Sequence, residues 1–344
     1  RSFWFADYEG SRIRQGQTFV LSVPTARMRQ GDFSELPGPI FDPATYTSST
    51  NTRQPFPNNR IPANRLSQAA LNLMEAQYPL PSRPGLANNF VYNPIRPSNM
   101  NNFDVRLDHR LTEKDNFFAR YGYSDFDAGL TISVRPVLPS SLLGIDKALD
   151  TDPVDVKNQL LVVGATHTFR HNLLNEFRFG YTRFNEVANN RLHGIQAAEK
   201  LGIHNVNSPS LPFSDGLPGI NISGFSTIGE LEFLPFINVI NTFQYIDNLS
   251  YIKGKHTLKF GGDVRRRQFN FFQPPTQRGT FSFSGAFTNN PASPAGTGSG
   301  MADFALGLPL SSSQEAKLNG LSGQRSTEWG WYASDTWRLT SRLT

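Results

Sequence analysis

The chain has 344 residues, a formal net charge of +5 and a pI of about 9.4, with 38% hydrophobic and 12% aromatic residues. It contains no cysteine, which excludes disulfide frameworks, thiolate metal sites and thiol nucleophiles. Its basic residues are scattered, with Arg265-Arg266-Arg267 as the one cluster, so no nucleic-acid partner is expected.

No run approaches the length of a membrane-crossing helix. That says nothing of strands, which cross with apolar residues at every second position and leave the mean hydropathy low, here −0.40. The skew toward Phe (28) and Tyr (10) fits a surface that meets lipid better than a Leu/Ile/Val core.

Arg1-Ser2-Phe3-Trp4-Phe5-Ala6-Asp7-Tyr8 lacks the apolar run and small-residue cleavage site of a signal peptide and is read as a strand. A long connection over 24–100 follows. Within it Ser67 precedes Ala69, Ala70, Leu73, Met74 and Gln77 at helical spacing, which predicts a capped helix ended by Tyr78-Pro79. Asn102 to Leu111 is the clearest strand. Phe103, Val105, Leu107, His109 and Leu111 alternate with Asn102, Asp104, Arg106, Asp108 and Arg110. After a turn at Thr112–Asp115, Phe117, Ala119, Tyr121 and Tyr123 alternate with Phe118, Arg120, Gly122 and Ser124.

The unit recurs 58 residues on. Leu161, Val163, Ala165, His167 and Phe169 form one face, Arg170-His171-Asn172 turns, and Asn175, Phe177, Phe179 and Tyr181 return against Glu176, Arg178 and Gly180. A third hairpin spans 240–270. Phe243, Tyr245, Leu249 and Tyr251 lead to a turn at Lys253–His256, then Leu258, Phe260 and Val264 return against Lys259, Asp263 and Arg265. Gly261-Gly262 is read as a bulge or a close backbone approach. A short helix is expected at Met301–Leu308, and Pro291–Gly300 is expected to be flexible. Each helix is expected chiefly to pack its own loop. A fourth strand runs from Trp329 through Trp337 to a turn at Thr340-Ser341-Arg342; its facing is open, because Asp335 shares parity with Trp331 and Trp337.

Short turns thus alternate strictly with long connections at 24–100, 127–157, 186–238 and 273–327. That asymmetry belongs to outer-membrane barrels, with Tyr121, Tyr123, Phe126, Tyr181 and Phe184 expected in an aromatic girdle at the loop side. The fold class is therefore read as all-β: an antiparallel outer-membrane β-barrel segment of about eight strands, with long loops carrying short helices. A soluble sandwich with one buried face is the alternative that alternation alone leaves open. Asp104, Arg106, Asp108, Arg120, Glu176, Arg178, Lys259, Asp263 and Arg265 are expected to face a polar lumen.

No catalytic set emerges, and the chain is not expected to be an enzyme. Gly254-Lys255 lacks the upstream Gly and following Ser or Thr of a phosphate-binding loop. Ser250-Tyr251-Ile252-Lys253 has no supporting constellation. The six His are dispersed, so no metal or cofactor is expected, and His109 and His167 read as interfacial side chains.

Taken in order, several segments resemble the barrel of Oar-like TonB-dependent transporters, which often carry a carboxypeptidase-regulatory-like domain. They are Gly31-Asp32-Phe33, Asn59–Ser67, Arg106-Leu107-Asp108-His109, Asp115–Tyr121, Asn175–Tyr181, Gly254–Gly261, Ala302-Asp303-Phe304 and Tyr332–Thr340. The resemblance covers most of the chain. It implies a partial barrel over 1–344, lacking the signal peptide, the regulatory domain and the plug. It also implies an outer-membrane location in a Gram-negative bacterium, lipid contact, and partnership with a plug, the remaining strands of a 22-strand barrel and, through the plug, the TonB complex. The expected function is energised uptake or binding of a substrate at the cell surface. The alternative is a surface adhesion protein binding peptide, glycan or matrix through its loops.

Overall fold

The computed structural model describes residues 1–130, 135–340 and 343–344. Eight long strands form one antiparallel sheet: β1 (Ser2–Gly16), β2 (Ile95–Arg110), β3 (Asp115–Leu130), β4 (Asp152–Arg170), β5 (Leu173–Ala188), β6 (Phe236–Lys253), β7 (His256–Phe272) and β8 (Ser322–Trp337). Their order in the sheet is their order in the chain, with β1 and β8 as open edges.

Three tight turns join β2 to β3, β4 to β5 and β6 to β7 at one end. Gly254 adopts a φ of +60° in the last of them, a conformation that favours glycine. The turns do not lie on one hydrogen-bonded row. Arg110, the last residue of β2, shares a row with Asn116, Thr166, Glu176, Asn248, Gly261 and Tyr332, and Tyr332 lies five residues before Trp337 at the end of β8. A five-residue step over six strand spacings tilts the strands by roughly 30° from the perpendicular to the line of turns.

The strands run further than alternation indicates, because toward the loop end the apolar positions, among them Phe126, Val154, Val156 and Phe184, pass to the opposite face and the single-parity pattern breaks. The connections accordingly shrink to 17–94, 131–151, 189–235 and 273–321. The expected bulge at Gly261-Gly262 is absent: β7 keeps continuous register with β6 and β8. The glycine instead makes room for a ring, since a Cβ on Gly261 would lie 2.2 Å from Cε1 of Tyr332. Gly164 does the same for Phe118, also at 2.2 Å. The turn expected after β8 falls partly outside the described residues.

The four long connections fold together at the opposite end. They contribute α1 (Gln68–Gln77), α2 (Ala197–Lys200), α3 (Gly300–Ala305) and a small sheet in which Thr276–Phe283 pairs parallel with Gly219–Ile222 and antiparallel with Ser311–Glu315. Ser67 caps α1, its Oγ accepting from the Ala70 N–H at 3.4 Å. Leu73 and Met74 of α1 are buried in one hydrophobic cluster with Val137, Leu201, Ile220 and Phe304. The expectation that each helix packs its own loop is thus overturned: one core draws on all four connections. Each helix is too short to bury its apolar side within its own loop. The Pro291–Gly300 segment is pinned by Thr297 Oγ1 donating to Pro294 O at 2.9 Å and by the Gly298 N–H donating to Pro39 O at 3.0 Å.

Candidate functional site

The register places Asp104, Arg106, Asp108, Arg120, Glu176, Arg178, Lys259, Asp263 and Arg265 on one face of the sheet. It does not gather them into one cluster. Arg120 pairs with Asp104 at 2.9 Å across β2 and β3, and Arg106 pairs with Asp108 at 2.7 Å along β2 while stacking over the Phe118 ring. Arg178 binds Glu176. Arg265 and Arg267 share Glu328 at 3.5 and 3.1 Å, and Asp263 accepts from Gln244 at 2.8 Å.

Between these two charged strips the same face is largely apolar. β4 presents Val154, Val156, Leu160 and Val162 there, interrupted by Asn158, with Phe126 and Phe184 but also Glu186 from the adjoining strands. Phe126 and Phe184 therefore do not join the aromatic residues of the other face, as expected from their position, because each lies an odd number of residues from Tyr123 or Tyr181. Leu160 and Phe184 border an open concavity of about 490 Å³ with Asp7, Glu9, Asp104 and Thr182. Asp7 lies directly opposite Asp104, a like-charge pair that Arg120 partly neutralises.

The second face carries a band of large apolar side chains nearest the turns. It runs from Trp4 and Tyr8 through Phe103–Leu107, Leu161–Phe169 and Phe243–Tyr251 to Trp329, Trp331 and Trp337. Phe103, Leu107, Phe177, Tyr245, Phe260 and Trp331 are exposed, with nothing packed over them. Three histidines rim the band at the turn end. His109 bonds Ser2 Oγ at 2.7 Å, His167 bonds Asp115 at 2.6 Å, and His256 bonds Asp335 at 2.6 Å and stacks on Trp337. This settles the facing of β8: Asp335 shares the Trp face and lies at its turn-side margin beside His256.

The folded connections are held by buried charge as well as by their core. Glu230 accepts from the N–H groups of Leu192 and Leu217 at 2.7 and 2.8 Å and from Asn190 at 2.9 Å. Arg278, 4.0 Å away, donates to the carbonyls of Leu217, Leu231 and Leu234. Burial pushes the Glu230 carboxyl up and the Arg278 guanidinium down, each opposed by the charge of the other. Arg191 and Asp152, both buried, pair at 2.8 Å. Asp303 of α3 accepts from the N–H groups of Gly285, Phe287 and Thr288 and from the Thr288 hydroxyl, which fixes the chain around it. Leu231 and Leu234 fold down onto Val154 and Ala188, so this assembly seats on the loop end of the first face. Among the described residues, clefts that open in it include two larger ones. One, of about 280 Å³, lies between α1 and Phe281, Phe283 and Phe304. The other, of about 460 Å³, has an apolar floor of Met28, Leu36 and Leu86 and walls of Gly224, Gly296 and Gly298 backbone. No group of three or more His, Cys, Asp or Glu able to hold a metal occurs among the described residues.

The family model of the outer membrane beta barrel domain matches residues 1–344. The chain belongs to that family. No curated protein and no solved structure matches it.

Membership in the outer membrane beta barrel family assigns the exposed apolar band of the second face to lipid. The band spans nine residues on β4, β6 and β8, which rise roughly 30 Å along the strand and about 25 Å across a membrane once tilted, the height of a barrel's apolar belt. Tyr121, Tyr123 and Tyr181 lie at its loop-side border, though in mid-strand. The barrel strands are 15 to 19 residues long, more than the ~9–11 a bilayer requires. Their loop-side halves therefore stand clear of the hydrocarbon and carry the folded cap. Sequence reasoning did not find Arg191, Glu230 or Arg278, whose partners lie 39, 38 and 61 positions away in the chain. The signal that did exist was Ala302-Asp303-Phe304, whose Asp is the hydrogen-bond hub of α3.

Proposed function

We propose that this barrel domain is part of an Oar-like TonB-dependent receptor that captures a substrate at the surface of a Gram-negative cell and admits it past a plug held inside the barrel. The observation that carries this reading is the apolar pair Leu160 and Phe184, which borders an open concavity on the face opposite the lipid band, whereas the cap itself covers Val154 and Val156. A water-filled lumen is polar, whereas an apolar patch flanked by charged ones is the surface a folded occupant packs against. The open edges β1 and β8 fit a larger barrel, because unpaired strand edges are not tolerated in hydrocarbon. In this reading the cap and its two larger clefts receive the substrate, the nine charged residues line the lumen, and no catalytic step is performed.

The test is photo-crosslinking from position 162 in the full-length protein within its outer membrane. Crosslinks to another segment of the same polypeptide are expected. Absence of such crosslinks, together with free passage of small sugars through the reconstituted protein, overturns the receptor reading in favour of an open pore. The second reading, surface adhesion, is favoured by the open 460 Å³ cleft in the cap. A Ser284→Trp substitution fills that cleft. Under adhesion it abolishes capture on peptide, glycan and matrix arrays while uptake by the cell is unchanged, and under the receptor reading it lowers energised uptake.

A further inference from the structure

We propose that the lipid-facing surface of β5–β8 just above the apolar band is a binding site for the phosphate groups of an outer-leaflet glycolipid. Above Tyr181, Phe243, Val264 and Trp329 the face turns abruptly polar. Apart from Val239 on β6, its side chains there are polar: Arg183 and Asn185 on β5, Asn241 on β6, Arg266, Gln268 and Asn270 on β7, and Arg325 and Thr327 on β8. Three are arginines and none is a carboxylate. The corresponding surface of β1–β4 differs: there Arg12, Arg14 and Lys157 are balanced by Asp125, Asp127 and Asp155, and Lys157 is ion-paired to Asp155 at 2.9 Å.

The three arginines find only neutral oxygens. Arg183 donates to Asn241 Oδ1 at 3.1 Å, and Arg266 donates to Thr327 Oγ1 at 2.7 Å. Arg325 donates to Gln324 O at 2.7 Å and to Asn270 Oδ1 at 2.9 Å. Arg325 shares a row with Gln268, Asn241 and Arg183, and Arg266 sits one row nearer the band on the strand beside Arg325. Guanidinium forks are suited to bidentate phosphate binding. The cluster Arg265-Arg266-Arg267 is divided by strand alternation. Its outer members share Glu328 on the first face, and Arg266 alone turns to the lipid side, where no carboxylate meets it.

The occupant follows from place and charge. The arginines stand at the upper margin of the apolar belt, where acyl chains end and headgroups begin, so an anion tethered to acyl chains meets both at once. The amides and Thr327 match the hydroxyls of a sugar headgroup. The proposal rests on the reading that the capped end faces outward.

The test is native mass spectrometry of the full-length protein in mild detergent, titrated with diphosphorylated lipid A. Retained adducts are expected, with weak ones from the dephosphorylated form. Combined Arg183→Gln, Arg266→Gln and Arg325→Gln is expected to weaken binding on the order of 100-fold, while Arg12→Gln with Arg14→Gln changes it little. Equal binding by wild type and the triple variant overturns the proposal. Displacement of the lipid by inorganic pyrophosphate at matched phosphate concentration makes it a simple anion site and also overturns it. Membrane insertion is read separately by fluorescence quenching with brominated lipid. A wild-type protein that fails to insert removes the barrel reading itself, whereas loss of adducts alone leaves that reading standing.

Discussion

The sheet and the cap are built by opposite rules. In the sheet the exposed large apolar side chains point away from the molecule, and order comes from backbone ladders across eight strands, interrupted by one register shift at Thr168–Arg170 beside the β4–β5 turn. In the cap they point inward, and order comes from a shared core fastened by buried charge. All four tryptophans lie on the lipid face of β1 and β8, and the Glu230–Arg278 network lies in or beside the cap. The two halves therefore report through different probes, and a perturbation of one is expected to leave the other standing.

The sharpest way to break this comparison is to strike the cap's charges. Arg278→Ala leaves Glu230 buried without its counter-charge and is expected to destabilise the cap by about 3–5 kcal/mol. Limited proteolysis within 189–235 reads that loss, while tryptophan emission stays unchanged; a shift in emission would show that the two halves unfold together. Next in size is a charge on the lipid face. Val163→Arg is expected to cost about 2–4 kcal/mol in a bilayer, and Gln159→Arg, above the band on the same face, about 0–1 kcal/mol. Equal costs in lipid refolding titrations would remove the boundary of the apolar band. Gly164→Ala drives a Cβ into the Phe118 ring and is expected to cost about 1–3 kcal/mol in the sheet alone, read as faster hydrogen exchange in β3 and β4 with the cap unaffected.

The smallest effect is pH-dependent and belongs to the cap. Hydrogen bonds from Ser34, then the charge of Arg60, hold the Asp32 carboxyl below its usual value. For Asp42, burial pushes upward but the Arg65 fork and the Ala44 N–H outweigh it, so this carboxyl too is lowered. A lowered folded-state value means stability that is present above the unfolded value near pH ~4 and lost as the pH falls through the folded one. Hydrogen exchange over 25–66 should accelerate between neutral pH and pH 3, after correction for the intrinsic rate.

The same opposition explains what could be read in advance. Period-two alternation is strongest where one face meets lipid, so Phe103–Leu111, Leu161–Phe169 and Phe243–Tyr251 were legible, as were the short turns between strands. It breaks where the apolar positions change face beneath the cap, which is why β3 and β5 run on past Phe126 and Phe184 and why those two rings were assigned to the wrong side. The helix at Ser67 was legible because its cap and its spacing are local. The joining of α1 to α3, and of Asp152 to Arg191, was not, since those contacts are set by how four separated segments meet. The nine charged positions were placed on one face by parity alone, but parity carries no sign of the apolar stretch between them, because Leu160-Leu161-Val162-Val163 of β4 is apolar on both faces.

A cap with one core has a consequence for how such a surface changes over generations. Barrel loops are ordinarily exchangeable modules, each altered without regard to its neighbours. Here Val137, Leu201, Phe304 and Leu73 come from four different connections and fill one space. A new specificity cannot then be acquired by swapping a single loop. Substitutions must arrive as matched sets, and recombination between relatives should preserve the four connections together or not at all.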